Sequence, residues 1–209
     1  MTINWYGEGC FKIQEGGITL LIDPVDITNG LSAPRFKSDI IIKTVMPALK
    51  PGKQTPEATD GEAHVVTGPG EYEIKGVGIY GWPLAKDSSA EALKSVYRIR
   101  FDDLTLGFLG GLSAANDPEI FEELGDIDML FIPGGGKPYI DQEAAAKLIR
   151  QIEPRVVIPT HFAVPGLKRK AETVAEFLKE VGQKAEPEEK LTIKKKDLTE
   201  KMRVVVLKL

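Results

Sequence analysis

The first half of this 209-residue chain is cut into short apolar runs by glycine, proline and asparagine, and that punctuation constrains the fold more than any other feature. Residues 3–6, 10–14 and 19–22 read as short strands. Glu15-Gly16-Gly17 supplies a hairpin turn between the second and third. Asp23-Pro24 ends the third, because proline brings no N–H to a ladder. Asn29-Gly30 marks another turn, and 40–43 reads as a fully apolar strand. The polar stretch 51–62 reads as a surface loop. After Gly68-Pro69-Gly70, Tyr72 and Ile74 alternate with Glu71 and Glu73, the period of a strand with one wet face. Lys75-Gly76 turns the chain into 77–80, and 95–100, 104–109 and 129–132 complete the series.

Helices are expected mainly in the second half. Asp117-Pro118 suits an N-cap followed by proline at the first helical position, with Gly125 as the stop. A longer helix is predicted over 142–152, capped by Asp141 and ended by Pro154. Its stripe is Ala145, Leu148, Ile149 and Ile152. Residues 156–159 follow as a buried strand, 172–181 as a third helix, and 191–193 and 203–207 as closing strands. No linker divides the chain, so a single domain over 1–209 is expected.

The formal net charge of −4 argues against nucleic acid as the main partner, since phosphate binding usually needs a basic face. The basic runs Lys168-Arg169-Lys170 and Lys194-Lys195-Lys196 read as solvated turn and strand ends. One cysteine, Cys10, excludes an intramolecular disulfide and fits a reducing compartment. Between apolar neighbours, it reads as a small core residue rather than a nucleophile. No apolar run is long enough for a membrane span and no leader pattern opens the chain, so the cytoplasm is the expected location.

Taken alone, the residues offer little catalytic chemistry. The two histidines, His64 and His161, stand outside any short metal-spacing motif, and zinc needs three or four converging ligands. The loop Gly134-Gly135-Gly136-Lys137 follows a strand and precedes a helix. Its amides could hold an anion with help from Lys137, or it could be a tight connection that needs glycine's conformations. It lacks the flanking residues of a nucleotide-binding P-loop. Lys86-Asp87 and Asp102-Asp103 read as turn residues. Asp23, after Leu20-Leu21-Ile22, could brace a loop or face inward as a supporting carboxylate.

Together these segments resemble a known family. WYGEGCFKIQ, the hairpin into LLIDP, GLSAPRFKSDIII, HVVTGPGEYEIKGVGIYG, LGDIDMLFIPGGG and IEPRVVIPTHF resemble, in order, the metallo-β-lactamase superfamily. The branch is that of short bacterial hydrolases related to L-ascorbate-6-phosphate lactonase. The resemblance implies an α/β fold, the four-layer αβ/βα sandwich, with zinc, manganese or iron at the sheet edge in active members. Such a metal makes hydroxide from bound water near neutral pH.

The resemblance also places the ligands. Its His-x-His-x-Asp-His motif falls on Val45, Pro47, Leu49 and Lys50. A further histidine falls on Lys86, beside Asp87, and a bridging aspartate on Gly111. The last histidine is His161, the one position of the set that keeps a metal-binding side chain. Lys50 and Lys86 could bind a cation only after losing a proton.

The expectation is therefore a protein with no metal cofactor, a non-catalytic relative that binds a small ligand or a protein partner. The alternative is a hydrolase or lactonase with an atypical or metal-independent site, using His161, Lys86, Lys137 or Asp23 as acid–base groups. A third class, an RNA-binding pseudo-nuclease, is disfavoured by the acidic balance and the lack of a basic stripe with interleaved aromatics. Self-association into a homo-oligomer stays open.

Overall fold

The computed structural model describes residues 1–25, 27–47, 59–60 and 63–209. Its strands are β1 (Thr2–Trp5), β2 (Phe11–Glu15), β3 (Ile18–Ile22), β4 (Ile40–Ile42), β5 (Val45–Pro47), β6 (Thr59–Asp60), β7 (Ala63–Val66) and β8 (Gly70–Ile74). They continue with β9 (Val77–Pro83), β10 (Ala92–Phe101), β11 (Leu104–Phe108), β12 (Met129–Pro133), β13 (Val156–Thr160), β14 (Leu191–Thr192) and β15 (Arg203–Val204). The helices are α1 (Pro118–Glu123), α2 (Gln142–Ile152) and α3 (Val174–Val181).

The strands form two mixed sheets. One has the order β14-β1-β2-β3-β4-β7-β6, and the other β15-β13-β12-β11-β10-β9-β8, with β5 added against β10. Tight turns build the antiparallel halves. Gly16 and Gly17 both have positive φ (+55° and +83°), as do Lys75 and Gly76 (+51° and +79°). Two consecutive positive φ values make the turn whose twist matches the flanking strands.

The parallel halves explain the uniformly apolar runs. β12 and β13 are buried at every residue, as is β4. A parallel strand is covered on both faces, so it shows no alternation. β11, β12, β13 and β15 follow one another in the sheet. α1 links β11 to β12 and α2 links β12 to β13, whereas the chain after α3 first pairs β14 with β1 of the other sheet and then returns as β15. Right-handed crossovers taken in one direction put α1 and α2 on the same face, and α3 packs against α2. The other face meets the first sheet through aromatic rings. Phe11 of β2 lies edge-on to Phe131 of β12 at 4.8 Å, and Phe131 stacks on Phe108 of β11 at 4.1 Å. All three rings are buried, and truncating Phe131 to alanine would cost about 3–5 kcal/mol. The architecture is the α/β sandwich of two packed sheets that the resemblance implies.

Helix α2 matches its expected bounds because each signal acts as read. Asp141 accepts a hydrogen bond from the Ala144 amide at 2.8 Å. Ala145, Leu148 and Ile149 are buried, and Glu153 turns left-handed (φ +52°) before Pro154. At α1, Asp117 holds the N-cap position, but its carboxylate turns to Lys86 Nζ at 3.0 Å instead of capping. Of the loop expected over 51–62, Thr59–Asp60 pairs with β7, and the rest lies outside the described residues. The segment after Thr44, featureless as a sequence, forms β5, in register with β10 as Val45↔Lys94, Met46↔Leu93 and Pro47↔Ala92.

Candidate functional site

A cavity of about 400 Å³ opens where β3, β4, β5 and the end of β13 meet. Glu8, Asp23, Lys43, Val45, Pro47 and Gly111 line it, with Tyr139 and His161. Four positions of the family's ligand set therefore converge here: Val45, Pro47, Gly111 and His161. Leu49 and Lys50 lie outside the described residues.

Asp23 follows β3 with a left-handed backbone (φ +40°). Thr44 donates its amide to Asp23 Oδ1 and its hydroxyl to Oδ2, each at 2.6 Å. Asp23 thus braces the turn that launches β5. Burial pushes its carboxyl up to about 6, against the opposing pull of the two Thr44 hydrogen bonds and Lys43.

His161 ends β13, also left-handed (φ +58°), and is buried. Its Nδ1 lies 2.7 Å from Thr160 Oγ1. Burial, and then the charge of Arg169, push the imidazole down to about 3, so the ring is neutral at physiological pH. Gly9 keeps the two groups close. A β-carbon there would stand 3.0 Å from Asp23 Oδ2 and 3.1 Å from His161 Cε1.

Tyr139 packs tilted, at 49°, against the His161 ring with centroids 4.2 Å apart, and the Arg169 guanidinium lies 5.0 Å from the Tyr139 ring centre. Arg169 forks onto Glu8, with Nε to Oε2 and Nη2 to Oε1 both at 2.8 Å, and also donates to the His161 carbonyl. The basic run expected to be solvated thus contributes one inward residue. Sequence reading missed Arg169, Glu8 and Tyr139: Glu8 and Arg169 stand 161 residues apart, and Tyr139 meets His161 and Arg169 only through the tertiary fold.

The space expected for a bridging aspartate is filled. A β-carbon on Gly111 would lie 2.5 Å from Val45 Cγ2, and one on Gly110 would collide with the Thr44 side chain. Lys86 faces away from the cavity, bonding the Asn116 carbonyl at 2.8 Å as well as Asp117. Its neighbour Asp87 reaches back to the Gly111 turn, accepting from the Ser113 amide at 2.5 Å.

The glycine loop before α2 is tightly packed. Gly134 lies against Pro159 and Phe177, and Gly135 leaves no room for a side chain beside the His161 carbonyl. A carboxylate of the chain itself crowds the loop: a β-carbon on Gly136 would be 2.6 Å from the Glu172 carboxylate. Gln142 ties that carboxylate at 3.0 Å and the Gly134 carbonyl at 2.7 Å. Lys137 is exposed. Cys10 is fully buried, and burial pushes its thiol up to about 12. His64 is an exposed residue of β7. Across β9 and β10, Arg98 lies over both Tyr80 and Trp82, an aromatic–arginine pairing invisible along the sequence. Both ends are engaged internally: Arg98 bonds the Leu124 carbonyl, and Trp82 bonds Glu123.

Among the described residues, the donor set at the cavity does not fit a divalent metal. Val45, Pro47 and Gly111 have no side-chain donor, and both oxygens of Asp23 already accept a hydrogen bond from Thr44. Among the described residues, no three His, Cys, Asp or Glu side chains group as a metal site. Nor, among them, is any helix long and apolar enough to cross a membrane.

The same frame occurs in known proteins. A metal-dependent hydrolase of the UPF0173 group from Pyrococcus horikoshii is 36% identical over 124 residues, spanning 56% of this chain and about half, 53%, of that protein. One from Thermococcus onnurineus is 28% identical across 88% of this chain and 93% of its own length. A solved structure from Thermotoga maritima, a candidate zinc-dependent hydrolase of the metallo-β-lactamase superfamily, superposes with a TM-score of 0.79 at 26% identity. That match covers 99% of this chain and 97% of the other. The family profile described as a beta-lactamase superfamily domain matches residues 2–161, ending on the buried histidine of the cavity. The chain belongs to the metallo-β-lactamase superfamily.

Proposed function

We propose that this protein is a metal-free, non-catalytic member of the superfamily that uses the cavity, or the surface around it, to bind a small ligand or a protein partner. The carrying observation is the Val45 methyl group lodged where a side chain at Gly111 would begin. Ligand positions have lost their donors, and the vacated space has been repacked with apolar atoms. An apolar filling removes the like-charge repulsion that a carboxylate and imidazole cluster would carry without its metal.

The remaining groups support binding over turnover. A histidine held near 3 is too weak a base to take a proton at neutral pH. Asp23, near 6, is better matched, but its two hydrogen bonds from Thr44 hold it as a brace of the β5 turn. With Nδ1 engaged by Thr160, Nε2 is the ring atom of His161 left to meet a ligand. Tyr139 and Lys43 add a phenol and an ammonium to the same wall. We place this activity in the cytoplasm, consistent with a single buried thiol.

A second reading, a hydrolase of atypical site, is supported by the relatives, which are named metal-dependent hydrolases. One experiment separates the two. Protein purified without chelator is analysed for zinc, manganese and iron, then offered a panel of phosphodiesters and lactones. The binding-module reading expects far less than about one metal per chain and no turnover. A stoichiometric metal that survives dialysis, or turnover abolished by His161→Ala, would sink it.

A further inference from the structure

We infer that Lys94 is a tethered cation that clamps the cavity wall at the place where the family carries a metal-ligating aspartate. The inference rests on the metal-free reading above, and Lys94 lies outside the ligand set altogether.

Lys94 sits in β10 opposite Val45 of β5. Its Cδ and Cε lie 3.8 Å from the point where a Gly111 β-carbon would stand, the point that Val45 Cγ2 also crowds. The stem thus helps to cover the vacated position. The ammonium continues past it to Asp87 Oδ1 at 3.0 Å and Ser113 Oγ at 3.2 Å. Asp87 accepts from both the amide and the hydroxyl of Ser113. The Asp87 side chain is only 5% exposed and that of Lys94 20%, so the pair is largely withdrawn from water. A carboxylate so withdrawn needs a cation at hand, and breaking one side of such a pair strands the other charge.

The clamp joins three pieces of chain. One is the loop from Leu84 to Lys94, closed on itself by Ser88 Oγ, which accepts from the Lys94 amide and donates to the Leu84 carbonyl. The second is β5, held by the β10 ladder and by the Ser95 amide on the Thr44 carbonyl. The third is the turn Gly110-Gly111-Leu112-Ser113, reached through Asp87. Val45, Met46, Pro47 and Gly111 are cavity wall. The ammonium therefore cross-links the Asp87 loop to the Ser113 turn, from a stem fixed on the strand that holds β5. Ser113 stands outside the cavity lining, so its hydroxyl serves the clamp and not the cavity.

The test compares the full-length wild type with Lys94→Met, which keeps the stem and removes the charge, and with Lys94→Met/Asp87→Asn. Thermal unfolding and amide hydrogen exchange are read together. Lys94→Met is expected to lower Tm by roughly 5–10 °C. It should also speed exchange at the Ser113 and Ser95 amides about ten-fold or more, leaving β12 and β13 protected. The double variant should regain most of the lost Tm, because a neutral amide no longer requires the cation. An unchanged Tm and unchanged Ser113 exchange in Lys94→Met would overturn the inference, as would losses that simply add in the double variant. Should Lys94→Met fail to fold, Lys94→Ala is titrated with methylammonium: return of the folded signal supports the clamp, and no return refutes it. A wild-type scan with chelator runs alongside. A fall in Tm there would count against the metal-free reading, whereas the clamp itself stands or falls with the Lys94 variants.

Discussion

Thr44 gives both its amide and its hydroxyl to the carboxylate of Asp23, at 2.6 Å each, and so ties the end of β3 to the start of β5. The folded-state carboxyl sits near 6, against an ordinary 3.8. Below 3.8 it is protonated in both states. Between 3.8 and 6 only the folded state keeps the proton, so this group makes stability fall as pH rises, and the full cost is present above 6. His161 works in the opposite sense. Its folded value near 3 lies below the ordinary 6.5, so the unfolded chain takes up a proton first and stability falls as pH drops from 6.5 towards 3. The two slopes oppose each other between about pH 4 and 6. Asp23→Asn is expected to unmask the acid loss due to His161, seen as a steeper decline of the urea midpoint over that window. An identical profile in wild type and Asp23→Asn would refute the assignment.

Position 111 tests the packing directly. Gly111→Asp should destabilise by about 1–3 kcal/mol, because the new β-carbon meets Val45 Cγ2. Val45→Ala clears that space. In urea unfolding, the double variant should therefore be more stable than the two single losses added together. Strict additivity would show that Val45 is not the obstacle.

Arg169→Ala leaves Glu8, a residue 8% exposed with a left-handed backbone, without its forked partner. A loss of about 3–5 kcal/mol is expected, measured by chemical denaturation. Arg169→Lys should recover only part of it, since an ammonium cannot form both parallel hydrogen bonds. Full recovery by lysine would mean that charge alone suffices.

The glycine loop should be indifferent to added anions. Glu172 already lies against Gly136, so phosphate or sulfate is expected to leave Tm unchanged beyond its general salt effect. Glu172→Gln keeps the shape and removes the charge. A specific Tm rise with phosphate in the wild type would contradict the expectation that the nearby Glu172 charge keeps anions off the loop.

Local signals and long-range contacts differ sharply in how legible they are. Helix α2 can be bounded to the residue because its cap, apolar stripe and terminating proline all lie within one short segment. The hairpins at Gly16-Gly17 and Lys75-Gly76 are likewise visible, since a two-residue turn carries its own chemistry. Strand β5 is not. Its partner β10 lies far along the chain, beyond β8 and β9, and Pro47 argues against a strand when read alone. Proline is tolerated there because β5 pairs only with β10 among the described strands. Arg169 looks like a solvated charge because nothing beside it in sequence hints at Glu8. Gly134, Gly135 and Gly136 look like a ligand loop, whereas Phe177, the His161 carbonyl and Glu172 account for their size. The residues at the family's ligand positions are readable from identity; the packing of Val45 and Lys94 around Gly111 is not.

Phe11, Phe108 and Phe131 fasten the two sheets to each other from residues that take no part in lining the cavity. That separation has an evolutionary consequence. Side chains at the rim can be exchanged for others of different charge and size while the aromatic fastening keeps the chain folded. A scaffold with its cohesion in one place and its chemistry in another can change what its rim carries step by step, each intermediate still able to fold.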